Sequence, residues 1–309
     1  MTAASQGVAL VFPGQGAQAP GMGAEWIGVG AHPELIAAAR AFGCDLAQLV
    51  GDADETTLRR TENAQPALFY TAWSAAAALL ASGVQPKAVA GHSLGEWVAV
   101  AAAGALDPVA ALELVIRRGQ LMAAAPAGAM AAVLGAGRAA VDDGCRAAAA
   151  AGEICVVAND NAPGQAVISG TPRGVEIAAG AIRAAGAGKV VPLQVGGAFH
   201  SPLMAAAAQA FAERLEGAAF GDPRLPLAAN ATGTCLRTAG ELRGALTLQL
   251  DRPVLWVEQV RALAAIGVDT FVECGPGATL SNLIRRILPD AMVHRAGTPA
   301  EVQRVAARL

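Results

Sequence analysis

The sequence predicts an α/β protein with a smaller α/β unit set into it, and three observations carry this. Lys87-Ala88-Val89-Ala90 runs into Gly91-His92-Ser93-Leu94-Gly95 and then an Ala/Val-rich helical stretch, Glu96 to Ala103. Strand, sharp turn and helix in that order build a nucleophile elbow. Val8-Ala9-Leu10-Val11-Phe12 is a second short apolar run, ending in Pro13-Gly14-Gln15-Gly16-Ala17-Gln18, the pattern of a buried strand leaving through a glycine-rich loop. Between Ala129 and Val195 the elements follow the order β-α-β-β-α-β over about 70 residues, the ferredoxin-like pattern.

Taken in order, the first strand ends in a loop without the Lys-Ser/Thr ending of a P-loop, so phosphate cradling is poorly supported. The loop offers flexible backbone and two amide side chains, Gln15 and Gln18; taken by itself, it is better read as a plain strand-exit turn. Residues 31–62 alternate apolar and charged positions, as surface helices do. A long apolar helix is expected over Ala67–Ala81, with Asn63 as its cap and Pro66 in its first turn. The elbow follows, then a break at Gly104–Pro108 and a helix over Val109–Ala124. Texture changes at Pro126-Ala127-Gly128. Strands are expected at Ala129–Leu134, Ile154–Asn159, Gln165–Gly170 and Lys189–Val195, with Asp160–Gly164 as a turn. Gly196–Pro202 returns the chain to the main unit. Helices then read as Leu203–Leu215, Leu242–Leu250 and Val257–Ile266, with a strand at Leu225–Asn230. Thr270–Gly277 reads as a final strand and glycine turn, and the last dozen residues look tail-like.

Composition narrows the function classes. The 309 residues can bury a large core. Net charge is −3 with no basic cluster, which argues against nucleic acid as a partner. Mean hydropathy is positive from dispersed Ala, Val and Leu, and the longest Ala runs are too short for a bilayer, so no membrane is expected. Met1–Gly7 has neither a basic nor an apolar leader segment, so no signal peptide is read there. Cys44, Cys145, Cys155, Cys235 and Cys274 are odd in number and widely spaced. They read as reduced residues of a cytoplasmic protein, not as a metal site or disulfide framework.

The elbow serine is the natural nucleophile. Two glycines let strand and helix approach around a strained turn, which lifts the Ser93 hydroxyl over a helix N-terminus whose free N–H groups face a developing oxyanion. The Leu94 N–H is one such donor. A serine hydroxyl needs a base. Of the four histidines, His92 is locked in the elbow, His32 precedes Pro33 in a surface-like segment, and His294 lies near the tail. His200, on the glycine-rich return loop, remains. Asp251 and Glu258 are available in sequence as acids to orient it.

Five motifs then agree in order and spacing: Pro13-Gly14-Gln15-Gly16, Gly91-His92-Ser93-Leu94-Gly95-Glu96, Arg118-Gly119-x-x-Met122, Ala198-Phe199-His200-Ser201 and Glu273-Cys274-Gly275-Pro276-Gly277. Over nearly its whole length the chain resembles the malonyl-CoA:acyl carrier protein transacylase family, whose relatives include polyketide synthase acyltransferases. The resemblance implies an α/β-hydrolase-like core, 1–126 and 198–309, with an inserted ferredoxin-like subdomain, 127–197. It implies a Ser93–His200 dyad in which a main-chain carbonyl near Gln249 orients the imidazole. It makes the Gln15 N–H the second oxyanion donor and Arg118 the grip on a malonyl carboxylate, a bidentate pair that selects strongly when buried. Phe199 and Leu94 bear on branching: a phenylalanine before the histidine resembles malonyl-selective relatives. Trp97 departs from the smaller apolar residue common there. Malonyl-CoA and an acyl carrier protein are the implied partners, with no metal or cofactor and the chain acting as a monomer. Arg117, Lys189 and Arg285-Arg286 are candidates for meeting an acidic carrier. Asn159 and Asn161 either line the cleft or shape a turn.

Three rival readings stand beside this. A serine esterase or thioesterase on the same fold would orient His200 with a carboxylate and have no need of Arg118. A non-catalytic docking subunit would not need Ser93, His200 and Arg118 together. The same chemistry could also use another extender unit or serve a polyketide pathway or a malonate decarboxylase.

Overall fold

Five apolar residues in a row, Val8–Phe12, form the first strand, β1, and all five are buried. The computed structural model describes residues 7–309; most of the Met1–Gly7 stretch discussed above lies outside them. After β1 come α1 (Ala24–Gly28), α2 (Pro33–Ala41), α3 (Leu46–Gly51), α4 (Glu55–Arg59) and α5 (Thr61–Ala81). The elbow strand β2 (Ala88–Gly91) leads into α6 (Gly95–Ala102) and α7 (Pro108–Ala123). The next stretch is β3 (Ala129–Leu134), α8 (Arg138–Ala150), β4 (Cys155–Ala162), β5 (Gln165–Gly170), α9 (Pro172–Ala184) and β6 (Lys189–Pro192). A 3₁₀ turn, Pro202–Met204, opens α10 (Ala205–Glu216), followed by β7 (Leu227–Ala228), β8 (Cys235–Leu236), α11 (Ala239–Thr247) and α12 (Trp256–Ala265). The chain closes with β9 (Thr270–Cys274), α13 (Thr279–Ile287), β10 (Met292–Ala296) and α14 (Pro299–Ala306).

The larger sheet has the order β10-β9-β1-β2-β7-β8, parallel except for β8. Successive side chains of a strand point to opposite faces. Accordingly Leu10 and Phe12 join one apolar core while Ala9 and Val11 join another on the opposite face. A parallel sheet buried on both faces needs such unbroken apolar strands. The smaller sheet, β4-β5-β3-β6, is antiparallel throughout, and α8 packs against α9 over its own core. Isolated bridges pair Ala127 with Gly197 where the chain enters and leaves the smaller unit, and Asn159 of β4 with Val254 ahead of α12. Side chains also cross: Arg286 donates to Gln165 and to the Pro163 carbonyl, and Arg59 donates to Gln194. Among the described residues no helix is long and apolar enough to cross a membrane.

Several sequence expectations are corrected. Helix α5 starts at Thr61, not Ala67, and Pro66 lies inside it. The Arg60 carbonyl takes the N–H groups of Asn63 and Ala64, at 3.0 and 2.8 Å, so a helical turn forms ahead of the proline. Pro66, inside the helix, forgoes the bond its missing N–H would make to the Glu62 carbonyl. Asn63 is no cap; its amide donates to the Thr57 carbonyl at 2.9 Å. β4 runs through Asp160 and Asn161 to Ala162, because β-bulges absorb the polar residues, and the hairpin turns on Pro163-Gly164. The Thr270 strand is not the last: β10 pairs in parallel with it, and His294 lies in β10. The last dozen residues are no tail, since Thr298 caps α14, which buries Val302 and Val305.

Candidate active site

The elbow is built by steric exclusion. A Cβ on Gly91 would sit 1.9 Å from the Gly95 carbonyl carbon, and one on Gly95 would sit 2.0 Å from the Phe12 carbonyl oxygen. Only hydrogen fits at either position, which lets α6 start directly against β1 and β2. Ser93 is held at φ 52 and His200 at φ 57, the left-handed region, at a cost of roughly 1–3 kcal/mol each. Asn230 supports the serine. Its Oδ1 accepts the Ser93 N–H at 2.6 Å, and its Nδ2 donates to the Gly91 carbonyl at 2.7 Å.

Ser93 Oγ lies 2.8 Å from His200 Nε2. On the other side of the ring, His200 Nδ1 faces two carbonyls, Gln249 at 2.9 Å and Arg252 at 3.1 Å. Two acceptors there require the proton on Nδ1, which leaves the Nε2 lone pair facing the serine. Burial, and then the charge on Arg118, lower the His200 pKa to about 3, so the imidazole is neutral at physiological pH. Asp251 and Glu258 are not among its partners: Asp251 lies 3.9 Å from Arg252, and Glu258 pairs with Arg261.

Arg118, on α7, is 1% exposed. Its Nε donates to Gln249 Oε1 at 3.0 Å, its Nη1 to Gln65 Oε1 at 2.7 Å and its Nη2 to Ser93 Oγ at 3.1 Å. Arg117 points away, toward Gln120 at 3.4 Å. No carboxylate forms an ion pair with Arg118 among the described residues. Glu96 contributes attraction from farther off, and burial lowers the guanidinium pKa to about 10, so it remains charged.

Gln15, Ser93, Leu94, Arg118, Phe199 and His200 line one cavity of about 530 Å³, into which the smaller sheet sends Asn159 and Asn161. Gln249 stands behind this wall, and its carbonyl and amide act from there. The N–H groups of Gln15 and Leu94 take no backbone acceptor among the described residues. His92 turns away from the serine: its Nε2 meets Asn161 Oδ1 at 2.8 Å and its ring packs on Trp256. Trp97 does not reach the cavity. It is fully buried, edge-on to Phe211, with its Nε1 donating to Gln249 Oε1 at 3.2 Å. Among the described residues no group of His, Cys, Asp and Glu side chains could hold a metal ion.

Sequence reasoning missed Asn230, Gln65, the Arg252 carbonyl and the part played by Glu96. Glu96 was visible as the last residue of the elbow motif. Asn230 had no signal beyond ending a short strand, and a backbone carbonyl leaves none.

Residues 9–306 match the family described as the acyl transferase domain. The chain belongs to that family. Among acyl transferase relatives, it is 40% identical over 296 residues to the malonyl CoA-acyl carrier protein transacylase of Bacillus subtilis, covering 91% of this chain and 90% of that one. It is 38% identical over 305 residues to the enzyme of the same name from Escherichia coli K12, covering 94% and 96%. The malonyl CoA-acyl carrier protein transacylase structure from Coxiella burnetii superposes with a TM-score of 0.91 at 35% identity, over 98% of each chain. A malonyl-transacylase solved in complex with a type II polyketide synthase acyl-carrier protein superposes with a TM-score of 0.92 at 35% identity, over 99% of this chain and 100% of that one. The acyl transferase fold thus spans both sheets of this chain.

Proposed function

We propose that this chain transfers a malonyl group from malonyl-CoA to the phosphopantetheine thiol of an acyl carrier protein, through an ester on Ser93. The observation that carries it is the position of Ser93 Oγ, 2.8 Å from a base and 3.1 Å from a buried, charged guanidinium in one cavity. Nucleophile and carboxylate grip thereby share one cavity, and a malonyl carboxylate that takes the guanidinium from Ser93 Oγ brings its thioester carbonyl to the serine.

In the first half-reaction His200 Nε2 takes the Ser93 proton while Oγ bonds to the thioester carbonyl carbon. The N–H groups of Leu94 and Gln15 receive the oxyanion. The carbon–sulfur bond breaks, CoA leaves as a thiol with the proton from His200, and the malonyl ester remains with its carboxylate on Arg118. In the second half the carrier's thiol gives its proton to His200, its sulfur attacks the ester, and Ser93 Oγ leaves and regains the proton. Every proton is carried by His200, and the Gln249 and Arg252 carbonyls stabilise its charged state. Phe199 and Leu94 border the α-carbon and favour an unbranched acyl group.

The domain assignment, 1–126 and 198–309 around an inserted 127–197, rests on the two separate sheets and on the order β4-β5-β3-β6, which a β-α-β-β-α-β unit produces. We take the protein to work in the cytoplasm as a monomer. A serine thioesterase is the weaker reading, because His200 is oriented by carbonyls and Arg118 would stand buried without a task.

Intact-mass measurement after mixing with malonyl-, acetyl- and methylmalonyl-CoA tests this. A malonyl adduct lost in Ser93→Ala is expected. Equal labelling by acetyl-CoA would overturn the assignment of Arg118.

A further inference from the structure

Glu96 is buried, ionisable and one residue past the elbow glycine, yet the mechanism above does not use it. It is 1% exposed. One carboxylate oxygen accepts the Asn230 N–H at 2.8 Å, and the other accepts Gln249 Nε2 at 2.6 Å. The same Nε2 also donates to the Ser93 carbonyl at 2.8 Å. A carboxylate is acceptor-only, so it forces the NH₂ side of the Gln249 amide toward itself. The carbonyl side must then face the opposite way, where Arg118 Nε and Trp97 Nε1 both donate to it, at 3.0 and 3.2 Å. Reversed, the amide would set its oxygen against a carboxylate and its NH₂ against two N–H donors.

This order of groups also fixes how the buried cation is balanced. A carboxylate directly on Arg118 would neutralise it, and would occupy the edge a substrate carboxylate needs. Here a neutral amide stands between the two charges. Glu96 still attracts the guanidinium, but the Nη2 edge stays turned to Ser93 Oγ.

We propose that Glu96 is a positioning residue for carboxylate recognition: it fixes the orientation of the Gln249 amide, which presents Arg118 charged and uncapped to the acyl carboxylate. This rests on the malonyl-transfer reading. Burial raises the Glu96 pKa to about 7, against the pull of Asn230, Gln249 and Arg118. A protonated Glu96 would offer a donor where the amide needs an acceptor. Among the described residues Arg118 is the one titratable group that acts on it; Asn230 and Gln249 are neutral, and the cavity wall also carries His92, His200, Glu55 and Arg59.

The test is the ratio of malonyl to acetyl transfer, from malonyl-CoA and acetyl-CoA to the holo carrier protein. Glu96→Gln removes the acceptor-only character and should lower that ratio by about 10–100-fold, while Glu96→Asp keeps it within about threefold. A general loss of packing would slow both transfers and leave the ratio alone, and an unchanged ratio overturns the proposal. Should Glu96→Gln not fold, the wild-type ratio is read from about pH 8.5 to pH 5.5, where changes at His200 cancel between substrates. A ratio that falls on the acid side supports the proposal, and a flat one overturns it. A wild type that does not prefer malonyl would instead overturn the functional reading itself.

Discussion

Arg118 Nη2 donates to Ser93 Oγ at 3.1 Å, so the cation proposed to grip the acyl carboxylate rests on the nucleophile itself. On the malonyl-transfer reading proposed above, an entering substrate carboxylate would take over this bond and leave Ser93 to His200. Selection and activation are therefore linked at one oxygen. Arg118→Ala should cut kcat/KM for malonyl-CoA by about 30–3000-fold, the loss expected of a buried charge-assisted pair, with acetyl-CoA turnover much less affected. Arg118→Lys should recover little, because a point charge cannot reproduce the three-way contact to Gln249, Gln65 and the serine. Steady-state kinetics on both thioesters checks this.

His200 gives a stability prediction with a definite sign. Its folded pKa is about 3, below the ordinary value of 6.5. Between these values the unfolded chain binds a proton that the folded chain refuses. The stability contribution is whole above pH 6.5 and is lost as pH falls toward 3, at about 1.4 kcal/mol per pH unit within the window. Glu96 acts oppositely: raised from 4.5 to about 7, its contribution is whole below pH 4.5 and is lost as pH rises through 7. His200→Asn should therefore flatten the acid side of a plot of Tm against pH. An acid limb as steep as that of the wild type would contradict the burial argument.

The elbow predicts two grades of damage. Gly95→Ala pushes a methyl to within 2.0 Å of the Phe12 carbonyl, a backbone atom held in the middle of the larger sheet, and should prevent stable folding. Asn230→Ala leaves the fold but frees the Ser93 N–H and the Gly91 carbonyl, so the serine's left-handed geometry loses its brace. Its kcat should fall with KM nearly unchanged, and acyl-enzyme formation measured by intact mass should slow to match.

What could be read from the sequence follows from where each kind of information is stored. Apolar runs such as Val8–Phe12 and the glycine spacing around Ser93 are local, so strand, elbow and helix were plain, and companion motifs singled out His200 and Arg118. The beginning of α5 was misread because Pro66 signals a first turn, whereas the bonds to the Arg60 carbonyl, set by tertiary placement, start the helix earlier. β10 was missed because Met292–Ala296 includes His294 and Arg295 on a half-exposed edge, where alternation is weak. The braces at Asn230 and Glu96 join residues more than 130 positions apart, and a single sequence does not encode such pairings.

Phe199 offers the last prediction, on the size of the acyl group. Its ring is 6% exposed, lines the cavity beside His200, and packs so closely on the return loop that a Cβ on Gly197 would lie 2.7 Å from it. The ring therefore cannot retreat toward Gly197, which on the proposed function would exclude a branch on the acyl α-carbon. Phe199→Ser replaces it with a small group and opens that volume. One methyl in a pocket is worth about 1–3 kcal/mol, so the methylmalonyl-to-malonyl ratio of kcat/KM should rise by about 10–100-fold. Malonyl transfer should itself slow, because the cavity loses the ring that lines it beside Ser93 and His200. Competition between the two CoA thioesters, read as the ratio of seryl adducts by mass, measures the change directly. A ratio unmoved by the substitution would mean that another wall of the cavity, with Leu94 the first to examine, excludes the branch.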